Sequence, residues 1–192
     1  MGKTMINIYD YEPMSEIYGP GKRFVIWVQG CKLHCKGCWN TQMWSTNPKT
    51  LVAWNELFEM ISEQKDIEGI TLIGGEPMHQ SDELVHLCEK VKELGLSVVL
   101  FTGYEIDELK RESEIALLAM SDIIIAGRYI EEQRNTFLQW RGSENQQVIF
   151  NTERYTDYIP NDANYCEIKL SEDGEMTISG FPDDLLVEEL KK

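Results

Sequence analysis

This chain has no apolar run long enough to cross a bilayer and no N-terminal segment with the pattern of a secretory signal peptide. Cationic residues are scarce, since 18 Lys and Arg stand against 33 Asp and Glu, for a net charge of −15 at pH 7. The basic surface typical of proteins that bind DNA or RNA is therefore missing. We expect a cytoplasmic protein that has neither a membrane nor a nucleic acid as its partner.

Internal repeats and low-complexity segments are also absent, and the hydrophobic fraction is an ordinary 42%. A chain of 192 residues is long enough for one domain with a full core. The negative charge is uneven, because residues 1–50 contain six Lys and Arg against three Asp and Glu. The sequence thus predicts one folded domain whose N-terminal part is its most cationic part.

Five cysteines are present, and three of them, Cys31, Cys35 and Cys38, have the spacing C-x3-C-x2-C. They follow an apolar run, residues 24–28, that is typical of a strand buried on both faces. In a reducing compartment such a group binds metal more often than it forms disulfides. The spacing therefore predicts a metal site in the loop after this strand.

Two kinds of metal site are compatible with this spacing. Structural zinc takes four protein ligands, so a zinc site would also need His34 or a distant cysteine. An iron-sulfur cube held by three thiolates keeps one iron open to a small molecule. The other two cysteines, Cys88 and Cys166, lie on apolar faces of predicted elements, and we expect them to pack rather than to bind metal.

A second motif, Gly74-Gly75-Glu76-Pro77, follows the apolar run 70–73. Glycine at the end of a buried strand lets a ligand approach the backbone closely, and such strand ends are where open α/β folds bind ligands. By itself, the motif is explained as simply by an ordinary turn. Its position one strand and one helix after the cysteines favours a shared binding site.

Strand-like and helix-like stretches alternate along the chain. After residues 24–28, strands are predicted at 70–73, 97–101, 122–126 and 148–150, with helices at 51–64, 81–94 and, more weakly, 105–120. This alternation is typical of a parallel sheet with right-handed crossovers. Residues 1–20 predict an irregular or edge-strand lead-in, and the tail predicts a β-hairpin that turns at Asp173-Gly174.

Each predicted parallel strand ends in a loop that is polar or contains glycine. These loops begin near Cys31, Gly74, Gly103 and Gly127. Because the carboxyl ends of parallel strands meet at one edge of a sheet, we expect the four loops to converge on one site.

With these motifs in this order, the chain resembles the radical S-adenosylmethionine (SAM) superfamily. It is most similar to the activating proteins of anaerobic (class III) ribonucleotide reductase in three further stretches, Gly37-Cys38-Trp39-Asn40, Thr102-Gly103-Tyr104 and Trp140-Arg141-Gly142-Ser143-x-Asn145-Gln146. The resemblance implies an α/β fold, namely a partial (βα) barrel with a mostly parallel sheet in residues 1–154. Residues 155–192 extend beyond the resemblance, and from their own pattern we expect them to form a C-terminal β-hairpin extension packed on the same domain.

The same resemblance implies two cofactors. Cys31, Cys35 and Cys38 would hold a [4Fe-4S] cluster whose open iron chelates SAM. The residues expected near SAM are Gly37, Trp39, Gly74, Gly75, Glu76, Pro77 and Thr102. For Trp39 and Trp44, packing over the adenine of SAM and covering the core are both open. No side chain is assigned a catalytic role.

The implied activity is reductive cleavage of SAM to a 5′-deoxyadenosyl radical that generates a glycyl radical on a partner such as anaerobic ribonucleotide reductase. The implied reductant is a flavodoxin or ferredoxin. Ala126 stands where the activating proteins usually carry an aspartate, so a radical SAM enzyme acting directly on a peptide or small metabolite is an alternative. A metal-binding module without catalysis is another.

Overall fold

A computed structural model describes residues 4–161 and 163–190. Within them, seven strands form one sheet and two form a separate hairpin. The strands are β1 (Met5–Ser15), β2 (Arg23–Val28), β3 (Thr50–Ala53), β4 (Gly69–Gly74), β5 (Ser97–Thr102), β6 (Ile123–Ala126), β7 (Gln147–Phe150), β8 (Cys166–Leu170) and β9 (Met176–Gly180). The α-helices are α1 (Trp54–Ser62), α2 (Ser81–Glu93), α3 (Glu112–Met120) and α4 (Asp184–Leu190). The predicted ranges 1–154 and 155–192 also contain residues 1–3, 162 and 191–192, which lie outside the described residues.

The large sheet has the strand order β3-β1-β2-β4-β5-β6-β7. Its four central strands, β2, β4, β5 and β6, run parallel and are connected through α1, α2 and α3. The predicted α/β fold with its parallel sheet is thus confirmed. The carboxyl ends of all four strands lie at one edge of the sheet.

The helices α1 to α3 pack on one face of the sheet. Alternate strand residues, such as Phe24 and Ile26 of β2, point to this face and pack with Leu57 of α1 and Leu84 of α2. Each of these fully buried side chains stabilises the fold by roughly 1.5–3 kcal/mol. Cys88 of α2 is fully buried in the same cluster, so the prediction that it packs as a small apolar side chain is confirmed.

Loops and the C-terminal tail cover the opposite face. There Val99 and Ile123 pack with Trp140, which follows β6, and with Tyr155, which follows β7. Outer helices and an inner face closed by loops make this a partial barrel. The inner face is therefore where the strand-end loops enclose space.

The N-terminal region differs from its prediction. β1 is an 11-residue strand that lies between β2 and β3, not at the edge of the sheet. β3 is the edge strand, and it occupies the start of the helix predicted at 51–64, so that α1 begins only at Trp54. Residues Thr50–Ala53 take strand conformation because they pair antiparallel with Met5 to Ile8 of β1. The helix predicted at 105–120 is likewise shorter and spans Glu112–Met120.

The predicted C-terminal hairpin is confirmed as the antiparallel pair of β8 and β9. Two residues of β8, Glu167 and Lys169, make polar contacts with β1 and the residue that follows it. Glu167 accepts hydrogen bonds from the Ser15 hydroxyl at 3.0 Å and the Glu16 backbone N–H at 3.1 Å, and Lys169 forms an ion pair with Glu12. Among the described helices, none combines the length and the apolar character that crossing a membrane requires.

Candidate active site

The loops that follow β2, β4, β5 and β6 surround a cavity of about 370 Å³. All three cysteines of the C-x3-C-x2-C motif border it, together with residues from the strand ends and from the C-terminal tail. The predicted site residues along its wall are Cys31, Cys35, Gly37, Cys38, Trp39, Gly74, Gly75, Glu76 and Thr102. The convergence expected from the strand order is therefore present.

The cysteine loop is fixed to the segment that precedes β3. The backbone N–H of Gly30 donates to the carbonyl of Met43 at 2.8 Å, and that of Cys31 donates to the carbonyl of Trp44 at 3.1 Å. Cys31 is almost fully buried, whereas Cys35 and Cys38 are partly exposed. The loop is thus ordered by backbone hydrogen bonds before any ligand is considered.

All five cysteines of the chain are free thiols. Burial raises the pKa of both the Cys31 and the Cys35 thiols, although backbone N–H groups of Leu33 and His34 act in the opposite sense at Cys31. A thiol with a raised pKa stays protonated at neutral pH until a metal displaces the proton.

The donor set fits an iron-sulfur cluster better than a zinc ion. In the described part of the chain, no three His, Cys, Asp or Glu side chains converge closely enough to hold a single metal ion. A tetrahedral zinc site needs four such ligands at about 2.0–2.3 Å, whereas a cube binds thiolates at separate iron corners. The ring of His34 stacks on Trp44 at 4.7 Å, and neither residue borders the cavity.

Two residues of the Gly-Gly-Glu-Pro motif, Gly75 and Glu76, connect the loop after β4 to the start of the cysteine loop after β2. Gly75 donates its backbone N–H to the carbonyl of Val28 at 2.8 Å, and the Glu76 N–H donates to the carbonyl of Gly30 at 2.9 Å. A Cβ on Gly75 would lie 2.5 Å from the Gly30 oxygen, so only glycine fits. The motif therefore holds the start of the cysteine loop against the end of β4.

Glu76 is buried and accepts three hydrogen bonds. One carboxylate oxygen accepts from the Met78 N–H at 3.0 Å and the Thr102 hydroxyl at 2.9 Å, and the other accepts from the Gly103 N–H at 2.8 Å. Burial raises the pKa of Glu76 to about 7, against the opposing effect of these bonds. The carboxylate joins the ends of β4 and β5 and sets the shape of the cavity wall.

Three of the other predicted residues occupy different environments. Trp39 is half exposed at the rim of the cavity. Gly37 packs against the loop that follows β6, because a Cβ there would lie 2.7 Å from the Glu131 carboxylate. Pro77 is buried at the start of the turn Pro77–Gln80 and does not border the cavity. Pro77 is thus placed to shape the loop.

The segment Gly142–Gln146 holds the loop after β6. The side chain of Gln146 donates to the carbonyl of Gly127 at 2.9 Å and accepts from the Gly142 N–H at 2.8 Å. Asn145 donates to the carbonyl of Arg128 at 2.8 Å. Gly142 and Gln146 also border the cavity, so this segment both holds the loop after β6 and forms part of the cavity wall.

Residues that the sequence analysis missed also line the cavity. Asn164 and the tail segment from Thr177 to Pro182 border the cavity, although no motif singled them out. Asn164 donates to the carbonyl of Arg141 at 2.9 Å. These contacts join residues far apart in the sequence, so no local pattern indicated them.

The chain was compared with known proteins. The family described as 4Fe-4S single cluster domain matches residues 17–149. Proteins named anaerobic ribonucleoside-triphosphate reductase-activating protein match from Vibrio cholerae serotype O1, with 34% identity over 74% of this chain and 97% of the relative, and from Haemophilus influenzae, with 35% identity over 73% and 96%. The protein of that name from Enterobacteria phage T4 is 34% identical over 73% of this chain and 92% of the relative.

A solved structure, that of QueE from Escherichia coli, is 20% identical over 52% of each chain with a TM-score of 0.41, too low a likeness to carry an argument. The family match, by contrast, spans the cysteine loop, the Gly-Gly-Glu-Pro motif and β2 to β6. The three relatives are matched over more than nine-tenths of their own length. The chain belongs to the 4Fe-4S single cluster domain family and to the anaerobic ribonucleoside-triphosphate reductase-activating proteins.

Proposed function

We propose that Cys31, Cys35 and Cys38 hold a [4Fe-4S] cluster and that the cavity beside them binds SAM. The observation that carries this proposal is the single cavity shared by three free thiols and the Gly-Gly-Glu motif at the end of β4. Three protein ligands leave one iron of the cube for the amino and carboxylate groups of SAM. The wall of that binding site is formed by Gly37, Trp39, Gly74, Gly75, Glu76 and Thr102. Pro77 shapes the loop that carries Glu76.

The activity is that of a radical SAM enzyme that activates anaerobic ribonucleotide reductase. A reduced cluster held by Cys31, Cys35 and Cys38 would supply the single electron needed for reductive cleavage of SAM, and the resulting 5′-deoxyadenosyl radical would take a hydrogen atom from a glycine of the reductase. The residues of this chain bind and orient SAM and exclude water from the radical. The Glu76 carboxylate contributes by fixing the ends of β4 and β5 relative to each other.

The partner is the reductase, as membership of the activating proteins supports. A flavodoxin or ferredoxin is the proposed reductant, because the cluster needs a strongly reducing electron donor, toward the lower end of the roughly −700 to +450 mV that proteins impose. The proposed location is the cytoplasm, where thiols such as the five free cysteines stay reduced.

Anaerobic reconstitution with iron and sulfide tests the proposal. We expect about four irons per chain, and formation of 5′-deoxyadenosine when SAM and a reductant are added. The triple variant Cys31/Cys35/Cys38→Ala should lose both, whereas Cys166→Ala, which removes a thiol away from the cavity, should keep both. If the protein binds zinc instead of iron and leaves SAM intact, the proposed radical SAM activity is excluded.

A second measurement separates the glycyl-radical activity from direct action on a smaller substrate. The reduced, SAM-loaded protein is mixed with anaerobic ribonucleotide reductase and the organic radical is counted by electron paramagnetic resonance. Radical on the reductase, with one 5′-deoxyadenosine formed per radical, is the expected result. Nucleoside without radical would favour a peptide or small metabolite as the hydrogen donor.

A further inference from the structure

Arg141 is a cation without a counter-ion on the wall of the cavity. In residues 4–161 and 163–190, no carboxylate forms an ion pair with it, and its Nε atom is shielded from solvent without a hydrogen-bond partner. A shielded guanidinium N–H that lacks an acceptor is unfavourable in the free protein. Because Arg141 lines the cavity and no carboxylate of the described residues neutralises it, this part of the wall favours a ligand that brings an anionic oxygen.

The backbone beside Arg141 is strained. Trp140 has φ +61°, a left-handed conformation that is exceptional for a bulky side chain, and it is 2% exposed. Such strain persists only where surrounding contacts hold it, and it is concentrated at functional sites. The position of Arg141 is thus enforced by the fold rather than preferred by the local sequence.

The side chain of Asn164 holds the backbone of Trp140 and Arg141 in place through two hydrogen bonds. Its side-chain oxygen accepts the Trp140 N–H at 2.8 Å, and its side-chain NH2 donates to the Arg141 carbonyl at 2.9 Å. Tyr158 adds a stacking contact with the Trp140 ring at 5.3 Å between centroids. Both Asn164 and Tyr158 lie beyond residue 149, where the family match ends. The tail therefore fixes a residue of the cavity wall.

The other arginine of this wall has a different role. Arg134 donates from Nη2 to the carbonyl of Pro182 at 3.2 Å and so contacts the tail. Arg141 also differs from Lys36 of the cysteine loop, which is paired with Glu131 and Glu132. No carboxylate of the described residues neutralises Arg141. The carboxylate of a ligand that enters the cavity can therefore pair with it.

We propose that Arg141 binds the carboxylate of SAM and that Asn164, from the tail proposed as a C-terminal extension of the same domain, is its positioning residue. This inference rests on the proposed function, since it takes SAM as the occupant of the cavity. One oxygen of an amino-acid carboxylate can bind iron while the other accepts hydrogen bonds from a guanidinium, whose planar fork matches carboxylate geometry. The extension thus completes the cofactor site.

Binding measurements on the reconstituted protein test this inference without turnover. Dissociation constants for SAM and for 5′-deoxyadenosine, which lacks the carboxylate, are measured by anaerobic equilibrium dialysis. Arg141→Gln should weaken SAM binding at least about tenfold and leave 5′-deoxyadenosine binding within about twofold. Arg141→Lys, which keeps the charge but loses the fork, should recover part of the SAM affinity.

Asn164→Ala should weaken SAM binding by about three- to tenfold, again without an effect on 5′-deoxyadenosine, because Arg141 is released rather than removed. The matched control is Asn161→Ala, since the single hydrogen bond of the Asn161 side chain to other described residues is a 3.5 Å contact with the Tyr165 hydroxyl. Its SAM affinity should equal that of the wild type. Iron content and unfolding midpoint are recorded for each variant, so that loss of folding is recognised.

Two results would overturn the inference. One is unchanged SAM affinity in Arg141→Gln with the cluster loaded. The other is an equal loss of affinity for SAM and for 5′-deoxyadenosine, which would mean that Arg141 shapes the cavity and does not bind the carboxylate. If the wild-type protein itself fails to bind SAM, the proposed function fails instead, and the two failures are thereby distinguished.

Discussion

The carboxylate of Glu76 accepts the backbone N–H of Gly103 at 2.8 Å, and this bond joins the loop after β4 to the loop after β5. The same carboxylate accepts the hydroxyl of Thr102, so that two residues at the end of β5 depend on it. Parallel strands are paired by backbone hydrogen bonds along their length, whereas here a side chain joins the two loops. The buried Glu76 carboxylate therefore fixes the two loops that form this part of the cavity wall, beyond the ends of the paired strands.

Glu76→Gln should change the pH dependence of stability. Because burial raises the pKa of Glu76 to about 7 from 4.5, the folded state holds a proton that the unfolded state has lost between those pH values. Wild-type stability should therefore fall as pH rises through this window, by on the order of 3 kcal/mol, relative to the non-titrating variant.

Urea unfolding of both proteins from pH 4 to pH 8 measures this difference. The other carboxylates titrate in both proteins, so their contribution cancels when the two stability curves are subtracted. Parallel curves for wild type and Glu76→Gln across the window would show that Glu76 is ionised in the folded state with an ordinary pKa.

Gly75→Ala should displace the cysteine loop, since the added Cβ would lie 2.5 Å from the backbone oxygen of Gly30. Backbone atoms yield less than side chains, so we expect a loss of about 2–3 kcal/mol in stability and a reduced iron content after reconstitution. The control is Gly95→Ala at the end of α2, where nothing lies within 4 Å of the new Cβ. Because Gly95 has φ +75°, this control should cost about 1 kcal/mol but leave iron content unchanged. Equal iron contents in the two variants would contradict the proposed contact.

The cysteine loop and the Gly-Gly-Glu motif could be placed together from the sequence because the argument needs only local patterns. Apolar runs define the parallel strands, and parallel strands share the edge at which their carboxyl ends lie. Cys31 and Gly75 then have to be neighbours, whatever the exact length of each strand. The same argument brought Thr102 and Gly127 to this edge.

The rest depended on non-local contacts that leave little trace in the sequence. The strand Thr50–Ala53 forms because it pairs with Met5 to Ile8, more than 40 residues away. With only four residues, this strand is too short to show a periodic pattern in the sequence. The sequence also did not indicate the left-handed backbone conformation of Trp140, because glycine is the residue that normally marks such a conformation. Asn164 lies 24 residues beyond the backbone that it holds.

Asp122→Asn should destabilise the protein at neutral pH. Asp122 is 2% exposed at its side chain and pairs with Lys92 at 2.7 Å, and it also accepts the Val98 N–H and the Thr152 hydroxyl, each at 2.8 Å. Burial acts to raise the pKa of Asp122, but these hydrogen bonds outweigh it and the pKa is lowered from 3.8. We expect a loss of about 2 kcal/mol in the variant.

A lowered pKa means that the stabilisation from Asp122 is present above about pH 4 and disappears as pH falls through the folded-state pKa. The difference between Asp122→Asn and wild type in guanidinium unfolding should therefore shrink toward pH 2. The control is Asp82→Asn, whose side chain is 67% exposed and 3.3 Å from Arg111, with an expected change below about 0.5 kcal/mol. A difference that persists undiminished at pH 2 would argue against the ionised carboxylate as its source.

Arg23 at the start of β2 is fully buried, and every hydrogen-bond partner it has among the described residues is a neutral oxygen. Nε donates to the Thr71 hydroxyl at 2.8 Å, and Nη2 donates to the Ile70 carbonyl at 2.6 Å and the Ser97 carbonyl at 3.1 Å. Burial lowers the pKa of Arg23. The planar guanidinium thus connects the starts of β2, β4 and β5 at the end of the barrel opposite the cofactor cavity.

Arg23→Met should therefore cost at least about 3 kcal/mol, because it leaves several buried oxygens without donors. Arg23→Lys should recover little of this, since three donors on a single nitrogen cannot reach the partners of a planar fork. The matched control is Arg154→Met, whose guanidinium contacts the carbonyl of Gly95 at 2.7 Å on the exposed surface and should cost less than about 1 kcal/mol. The urea unfolding midpoints of the three variants give the order of their stabilities. Full stability in Arg23→Lys would mean that the charge, and not the fork geometry, joins the three strands.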